Sequence, residues 1–317
     1  MTLLRRIKTG VRPIVMGLPD RIQQRRRVRE IEASRKAQSS QSLTAELDRL
    51  PISTGAAVLV HSSLKALGYV EGGPGTVVEA LIEAVCERRG GTLMLPTFSI
   101  DGTMHRTLIS GRMFDQRSTP SNLGAIPEAF RRHPGIQRSL HPTHSFAALG
   151  PKAEALTKDH HRAGSSFGDD TPMAKLLAGN GYLLGLGTDL GRVTFYHCLE
   201  EIEETFPIDV FTADSPITAT CRDHVGQTHH LSIQAHDSNA DSRRIDQPQN
   251  QYLRTFFQER FEQACGLTWH QVGEASAWLV EAQQLYAEIK RLMQAGVTIY
   301  SSPSELEAYQ RRGGHGT

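Results

Sequence analysis

Apolar residues fall into two spacings that take turns along the chain. Short continuous runs occur at 57–61, 91–97, 145–149 and 182–186. Runs of about four to eight apolar residues bounded by turn residues read as buried strands. Between them, apolar residues recur every three or four positions, the mark of a helix with one inward stripe. Residues 76–88 turn Val77, Leu81, Ala84 and Val85 inward, and 120–132 and 172–178 read the same way. This alternation predicts an α/β fold, a central mixed sheet layered with helices.

Beyond Phe211 the pattern changes. Residues 217–221 and 229–233 flank Gly226 and predict a β-hairpin. Residues 234–250 are polar and read as a loop. Helices are expected at 251–265 and at 278–294, the second with Leu279, Ala282, Leu285, Ile289 and Leu292 inward, and a last strand at 298–300. The expected organisation is a basic arm at 1–44, a main domain at 45–305 and a flexible tail at 306–317. Within the domain, a smaller β-hairpin and helical C-terminal part spans about 210–275.

The segment at 181–204, GYLLGLGTDLGRVTFYHCLEEIEE, joins a buried strand to a helix through a glycine-bearing loop. Phe195, Cys198, Leu199 and Ile202 form the core stripe. His197, Glu200, Glu201 and Glu204 fall on the opposite face, with Thr194 at its margin. A His and a Glu three residues apart on one helical face can share a site. Spacing alone favours a solvated acidic face with an incidental His, because H-x-x-E is a weak pattern.

Composition narrows the function classes. The 317 residues carry a net charge of +1, so nothing global points to nucleic acid. The charge is uneven, however: residues 1–36 hold eleven Lys and Arg against Asp20, Glu30 and Glu32. That arm reads as a solvated helix packing on the domain or on a second subunit of a homodimer, or as a patch for an anionic membrane surface. Cys86, Cys198, Cys221 and Cys265 are widely spaced and read as reduced core thiols of a cytoplasmic protein. No apolar stretch is long enough to span a bilayer, and the basic N-terminus does not read as a signal peptide. His160-His161 and His229-His230 lack metal-ligand spacing, and no metal is expected.

Five ordered blocks carry a family resemblance. VHSSLKALGYVEGG at 60–73, GTLMLPTFS at 91–99, FDQRSTPSNLGAIPEAF at 114–130 with PGIQRSLHPTHSFAALGP at 134–151, FGDDTP at 167–172, and the Thr-x-x-His-x-x-Glu of 194–200 appear in sequence. Together, over roughly residues 45–300, they resemble the aminoglycoside 3-N-acetyltransferase family. The resemblance implies an acetyl-CoA-dependent N-acyltransferase acting on a primary amine. It implies a CoA face formed by His61, Ser62, Ser63, Leu64, Lys65, Gly73 and Thr97, where strand ends and a glycine-led helix start offer free N–H groups.

Under this resemblance His197 is the general base, oriented by Glu200 or by Asp237, which lies about where the family tends to have a carboxylate. Thr194 is the donor to the oxyanion, and His141 is the secondary base candidate, with His144 packing or binding substrate. Direct transfer fits, since no Ser or Cys sits in a G-x-S-x-G turn. Asp101, Asp115, Asp169, Asp170, Glu201 and Glu204 are available for a cationic acceptor. The added arm is not what a polycation-binding enzyme needs, which favours an amino sugar or related amine over a dedicated antibiotic-resistance substrate. A hydrolase using His and carboxylate chemistry, and a non-catalytic CoA-binding scaffold, remain as alternatives.

Overall fold

The computed structural model describes residues 37–313, the side chains of 239–241 excepted. The expectations for residues 1–36 lie outside this range. Seven strands form one sheet in the order β4-β5-β2-β1-β6-β10-β9: β1 Ala57–Ser62, β2 Thr92–Pro96, β4 Gln137–Arg138, β5 Phe146–Leu149, β6 Tyr182–Leu186, β9 Thr268–Val272 and β10 Ala275–Glu281. The central strands β2, β1 and β6 run parallel, with Val58 opposite both Leu93 and Tyr182. The flanking pairs are antiparallel. The mixed sheet matches the expectation.

Both faces of the sheet are covered, which is why its strands read as continuous apolar runs. In β1, Ala57 and Leu59 pack into one core, Val58 and Val60 into the other. The helices Ser40–Leu47, Pro74–Ile82 and Ala125–Arg131 cover the Val58 face. The helices Pro172–Ala178, Tyr196–Ile202, Gln251–Ala264, Ala282–Gln294 and Pro303–Arg311 cover the Leu59 face. A second sheet of three strands joins β3 Phe114–Asp115 to the antiparallel hairpin β7 Ile217–Arg222 and β8 Thr228–Ile233. The helix Met104–Ile109 packs on it.

Four expectations need correction. Residues 38–44, given to the arm, belong to the compact unit that begins at Gln38, with Leu43 at 1% exposure. Residues 268–281 form β9 and β10 of the main sheet, so Leu279 sits on a strand, and the helix begins at Ala282. Residues 298–300 form no strand. The tail is helical through Arg311, with Leu306 and Tyr309 buried and a Ser302–Glu305 capping box at its start.

Candidate functional site

The C-terminal ends of the parallel strands β1, β2 and β6 meet at one edge of the sheet, where α/β folds collect ligands. His61 and Ser62 end β1, Thr97 follows β2, and Thr188 lies just past β6. The chain then makes a short turn at Leu190–Arg192 and enters the helix Tyr196–Ile202, whose Tyr196 hydroxyl donates back to Leu190 O at 2.8 Å. This bond fixes the helix start and with it the direction of His197, one residue on.

His197 Nδ1 lies 2.7 Å from Glu200 Oε2. The Tyr300 hydroxyl donates to Glu200 Oε1 at 3.0 Å. Glu200 is buried, which by itself opposes its charge. The His197 ring hydrogen-bonded to it, together with His236 and Tyr300, outweighs burial and holds the carboxyl below its ordinary value. Nδ1 committed to a carboxylate leaves Nε2 as the working nitrogen of the ring. Phe167 stacks on the His197 ring, centroids 5.2 Å apart and planes at 27°.

The face given to Glu201 and Glu204 by helical spacing is only partly solvated. The Glu201 side chain is 1% exposed. Its Oε2 accepts the N–H groups of Phe167 and Gly168 at 2.7 and 2.8 Å, and Oε1 lies 2.6 Å from His236 Nε2. Glu201 therefore leaves the set of acids available to a cationic acceptor. Burial disfavours charge on His236 as well, but the Glu201 bond and the carboxylates of Glu201 and Glu200 hold its pKa above the ordinary value.

Six buried side-chain atoms have no hydrogen-bond partner among the described residues. Five of them belong to segments at this end of the sheet: His61 Nε2, Ser62 Oγ, His141 Nε2, Thr188 Oγ1 and Thr194 Oγ1. Buried polar groups are nearly always paired, so these groups are available to bond a water or a ligand. Burial lowers the His61 pKa to about 4, so the ring is neutral near pH 7. Trp278 lies beside His61 and donates its indole N–H to Thr188 O at 2.8 Å, holding the loop after β6.

The other expected residues distribute unevenly. Ser63 donates its N–H to Leu186 O at 2.8 Å and precedes the turn Leu64–Leu67, on which Lys65 is exposed. Gly73 caps the helix Pro74–Ile82. The Thr97 hydroxyl is fully buried and donates to Ser145 O at 3.0 Å, so it is a structural bond rather than a free ligand group. The Asp237 backbone N–H binds Val210 O, and the carboxylate on His197 is that of Glu200. The 236–237 loop brings His236 to the centre.

His141 is fully buried. Its Nδ1 accepts the His144 N–H at 2.9 Å, and its ring stacks on His160 at 4.6 Å. Burial lowers its pKa to about 3. Between it and His197 stand the rings of His144 and Phe167. Cys198 faces the core, donates to Phe167 O, and has its thiol pKa pushed well up by burial. All four cysteines are free thiols.

His197, Glu200 and His236 offer three ligand-type atoms within 4.8 Å of one another. The 2.7 Å His197–Glu200 contact is a hydrogen-bond distance, and it occupies two of the three as a paired acid and base. A cavity of about 910 Å³ lies elsewhere, lined by Gln116, Arg138 and Lys158 among others, and includes no residue of the His197 cluster. Among the described residues no helix is long and apolar enough to cross a membrane. Phe167 and His236, which touch the His197 ring, and Tyr300, which binds Glu200, lie outside the reach of helical spacing. The acidic doublet at 200–201 and the FGDD block were their only local signals.

Residues 59–294 match the family described as aminoglycoside 3-N-acetyltransferase. Over 175 residues the chain is 38% identical to aminoglycoside N(3)-acetyltransferase VII of Streptomyces paromomycinus. That stretch is 51% of this chain and 60% of the relative, less than two thirds of its length. Two solved structures superpose over most of the chain. The binary complex of AAC-IIIb with CoASH has a TM-score of 0.68 at 25% identity, covering 84% of this chain and 100% of that one. AAC-VIa bound to sisomicin has a TM-score of 0.64 at 26% identity, covering 80% and 96%.

Proposed function

The chain belongs to the aminoglycoside 3-N-acetyltransferase family, and on that premise we propose that it transfers the acetyl group of acetyl-CoA directly to a primary amine of an amino sugar or aminoglycoside-like acceptor. The observation that carries this reading is the His197–Glu200 pair, 2.7 Å apart, at the same end of the sheet as five unpartnered polar groups.

The acceptor arrives as an ammonium and needs to lose a proton before its lone pair can attack. Neutral His197 takes that proton at Nε2, while Glu200 at Nδ1 holds the tautomer and stabilises the imidazolium. The amine nitrogen bonds to the thioester carbonyl carbon, and the carbonyl oxygen becomes an oxyanion. The unpartnered Thr194 hydroxyl, one turn before His197, donates to it. Collapse breaks the C–S bond and releases the CoA thiolate, which takes the proton held by His197, while the amide nitrogen gives its second proton to solvent. Ser62, Ser63 and the backbone at 61–75 serve the pantetheine and phosphate arm, with Lys65 nearby as a cation. A cytoplasmic setting follows from the cosubstrate and agrees with the four free thiols. Relatives named for aminoglycosides, one of them bound to sisomicin, support an amino-sugar acceptor.

The test is calorimetric titration with acetyl-CoA, followed by release of free thiol in a panel of aminoglycosides and simple amino sugars. Acetyl-CoA binding that Ser63→Trp abolishes, with amine-dependent thiol release, is expected. Binding unchanged in Ser63→Trp puts the CoA site elsewhere, and thiol release without any amine makes the protein a thioesterase.

A further inference from the structure

We propose that Glu201 and His236 are positioning residues for this reaction, a second carboxylate–imidazole pair that clamps the ring of His197. The inference rests on the proposed acetyl transfer. It starts from an oddity of the helix Tyr196–Ile202. Two successive glutamates have side chains at 1% exposure, although only one of them bonds the base.

Glu201 uses its carboxylate to gather two segments distant in sequence. Oε2 takes the consecutive N–H groups of Phe167 and Gly168, and Oε1 takes His236. Both segments then deliver a ring to His197. Phe167 lies against its face at 5.2 Å. His236 meets it edge-on, 5.1 Å away at 78°. A ring held on its face and on its edge cannot swing, so the direction of Nε2 is set by Glu201 as much as by Glu200.

The clamp also brings charge. His236 Nε2 binds Glu201, and its Nδ1 lies 3.8 Å from Glu200 Oε2. An imidazolium between two carboxylates is the arrangement in which all three groups are satisfied. The titratable groups facing His236 are Glu200, Glu201 and His197 on the helix, His144 ahead of β5, and Arg244 after the Ser238–Arg243 turn. Phe167 and Phe211 close its remaining sides. A positive charge on His236 lies 5.1 Å from the His197 ring, close enough to act on it.

The experiment compares full-length wild type with His236→Gln, His236→Phe and Glu201→Gln. Acetyl transfer to the best acceptor of the panel is followed between pH 6 and 9. Gln keeps a donor for Glu201 but removes the ring and the charge, and Phe keeps a ring but removes the charge. Each variant is expected to keep its acetyl-CoA Kd and to lose at least ~10-fold in kcat/KM at pH 7. The loss should vary with pH, because the variants remove or shift a group that titrates above its ordinary value in the wild type. A loss uniform across pH, or wild-type rates in His236→Phe, would reduce the pair to packing and overturn the proposal.

Histidine ring NMR on the same proteins keeps the clamp separable from the reaction. His236 doubly protonated at pH 7.5 in wild type, together with a Phe167–His197 ring stack that comes apart in Glu201→Gln, supports the clamp even if no amine is acetylated. An ordinary His236 titration with an unchanged ring stack overturns it even if acetylation is observed. If Glu201→Gln does not fold, His236→Gln, which leaves the Glu201 bonds to Phe167 and Gly168 in place, carries the test.

Discussion

Glu200 and Glu201 follow one another in the chain, yet each carboxylate binds a different imidazole, 2.7 Å to His197 and 2.6 Å to His236. Both are held below the ordinary value of 4.5 against the opposing effect of burial, while His236 is held above 6.5. A carboxylate with a lowered pKa contributes stability that is complete above its unfolded pKa and is lost as pH falls. An imidazole with a raised pKa contributes stability that is complete below its unfolded pKa and is lost as pH rises through the folded one. Stability from the Glu201–His236 pair should therefore be greatest between about pH 4.5 and 6.5. Thermal melts across pH are expected to show that maximum, and Glu201→Gln to flatten it. The His197–Glu200 pair makes a different prediction. His197→Ala should lower kcat about 100-fold or more at unchanged acetyl-CoA affinity. Glu200→Gln should add little on top of it, since members of one unit are not additive; full additivity would separate the two residues. Thr194 is the test of the oxyanion donor. Its buried hydroxyl has no partner, so the near-isosteric Thr194→Val should leave the melting temperature unchanged or higher. The same change should lower kcat by about 100- to 1000-fold if the hydroxyl serves the oxyanion.

At the scale of elements, the site depends on how β6 and β10 pack. Trp278 of β10 is fully buried and lies directly over Gly185 of β6, and a Cβ at that position would collide with the indole ring. The glycine is there for room, since the backbone needs no left-handed conformation. The same indole donates to Thr188 O and so holds the loop that leads to Thr194 and His197. Gly185→Ala is expected to destabilise the protein by about 1–3 kcal/mol through overpacking. Because the ring must move, the tryptophan fluorescence should shift to the red and acetyl transfer should fall. An unchanged melt and spectrum would mean that the ring is not confined.

For the whole molecule, the boundary of the compact unit at Gln38 gives a truncation test. A chain beginning at Gln38 is expected to melt as the full chain does. A chain beginning at Arg49 loses the helix Ser40–Leu47 with Leu43 and Leu47, at 1% and 3% exposure. Each buried leucine removed costs about 2–5 kcal/mol, against a total stability of about 5–15 kcal/mol. The shorter chain is therefore expected to aggregate. Equal melts for both truncations would show that the helix contributes no core.

Features that depend on neighbours within one turn or one strand were legible from the chain alone. The runs in β1, β2 and β6 were legible because both faces are buried, and the hairpin of β7 and β8 because two strands flank Gly226. The His197–Glu200 pair was legible because three residues of helix put the two groups side by side. β9 and β10 were not, since Leu279 and Ala282 continue the spacing of the following helix across a junction with no breaker. Nor could spacing choose between Glu200 and Asp237, or assign Glu201 to the interior. His236 lies 35 residues from Glu201, and Tyr300 lies 100 from Glu200. Such contacts arise only when sheet and helices pack, because the free energy that brings them together is the burial of the surrounding core, to which no single segment contributes enough.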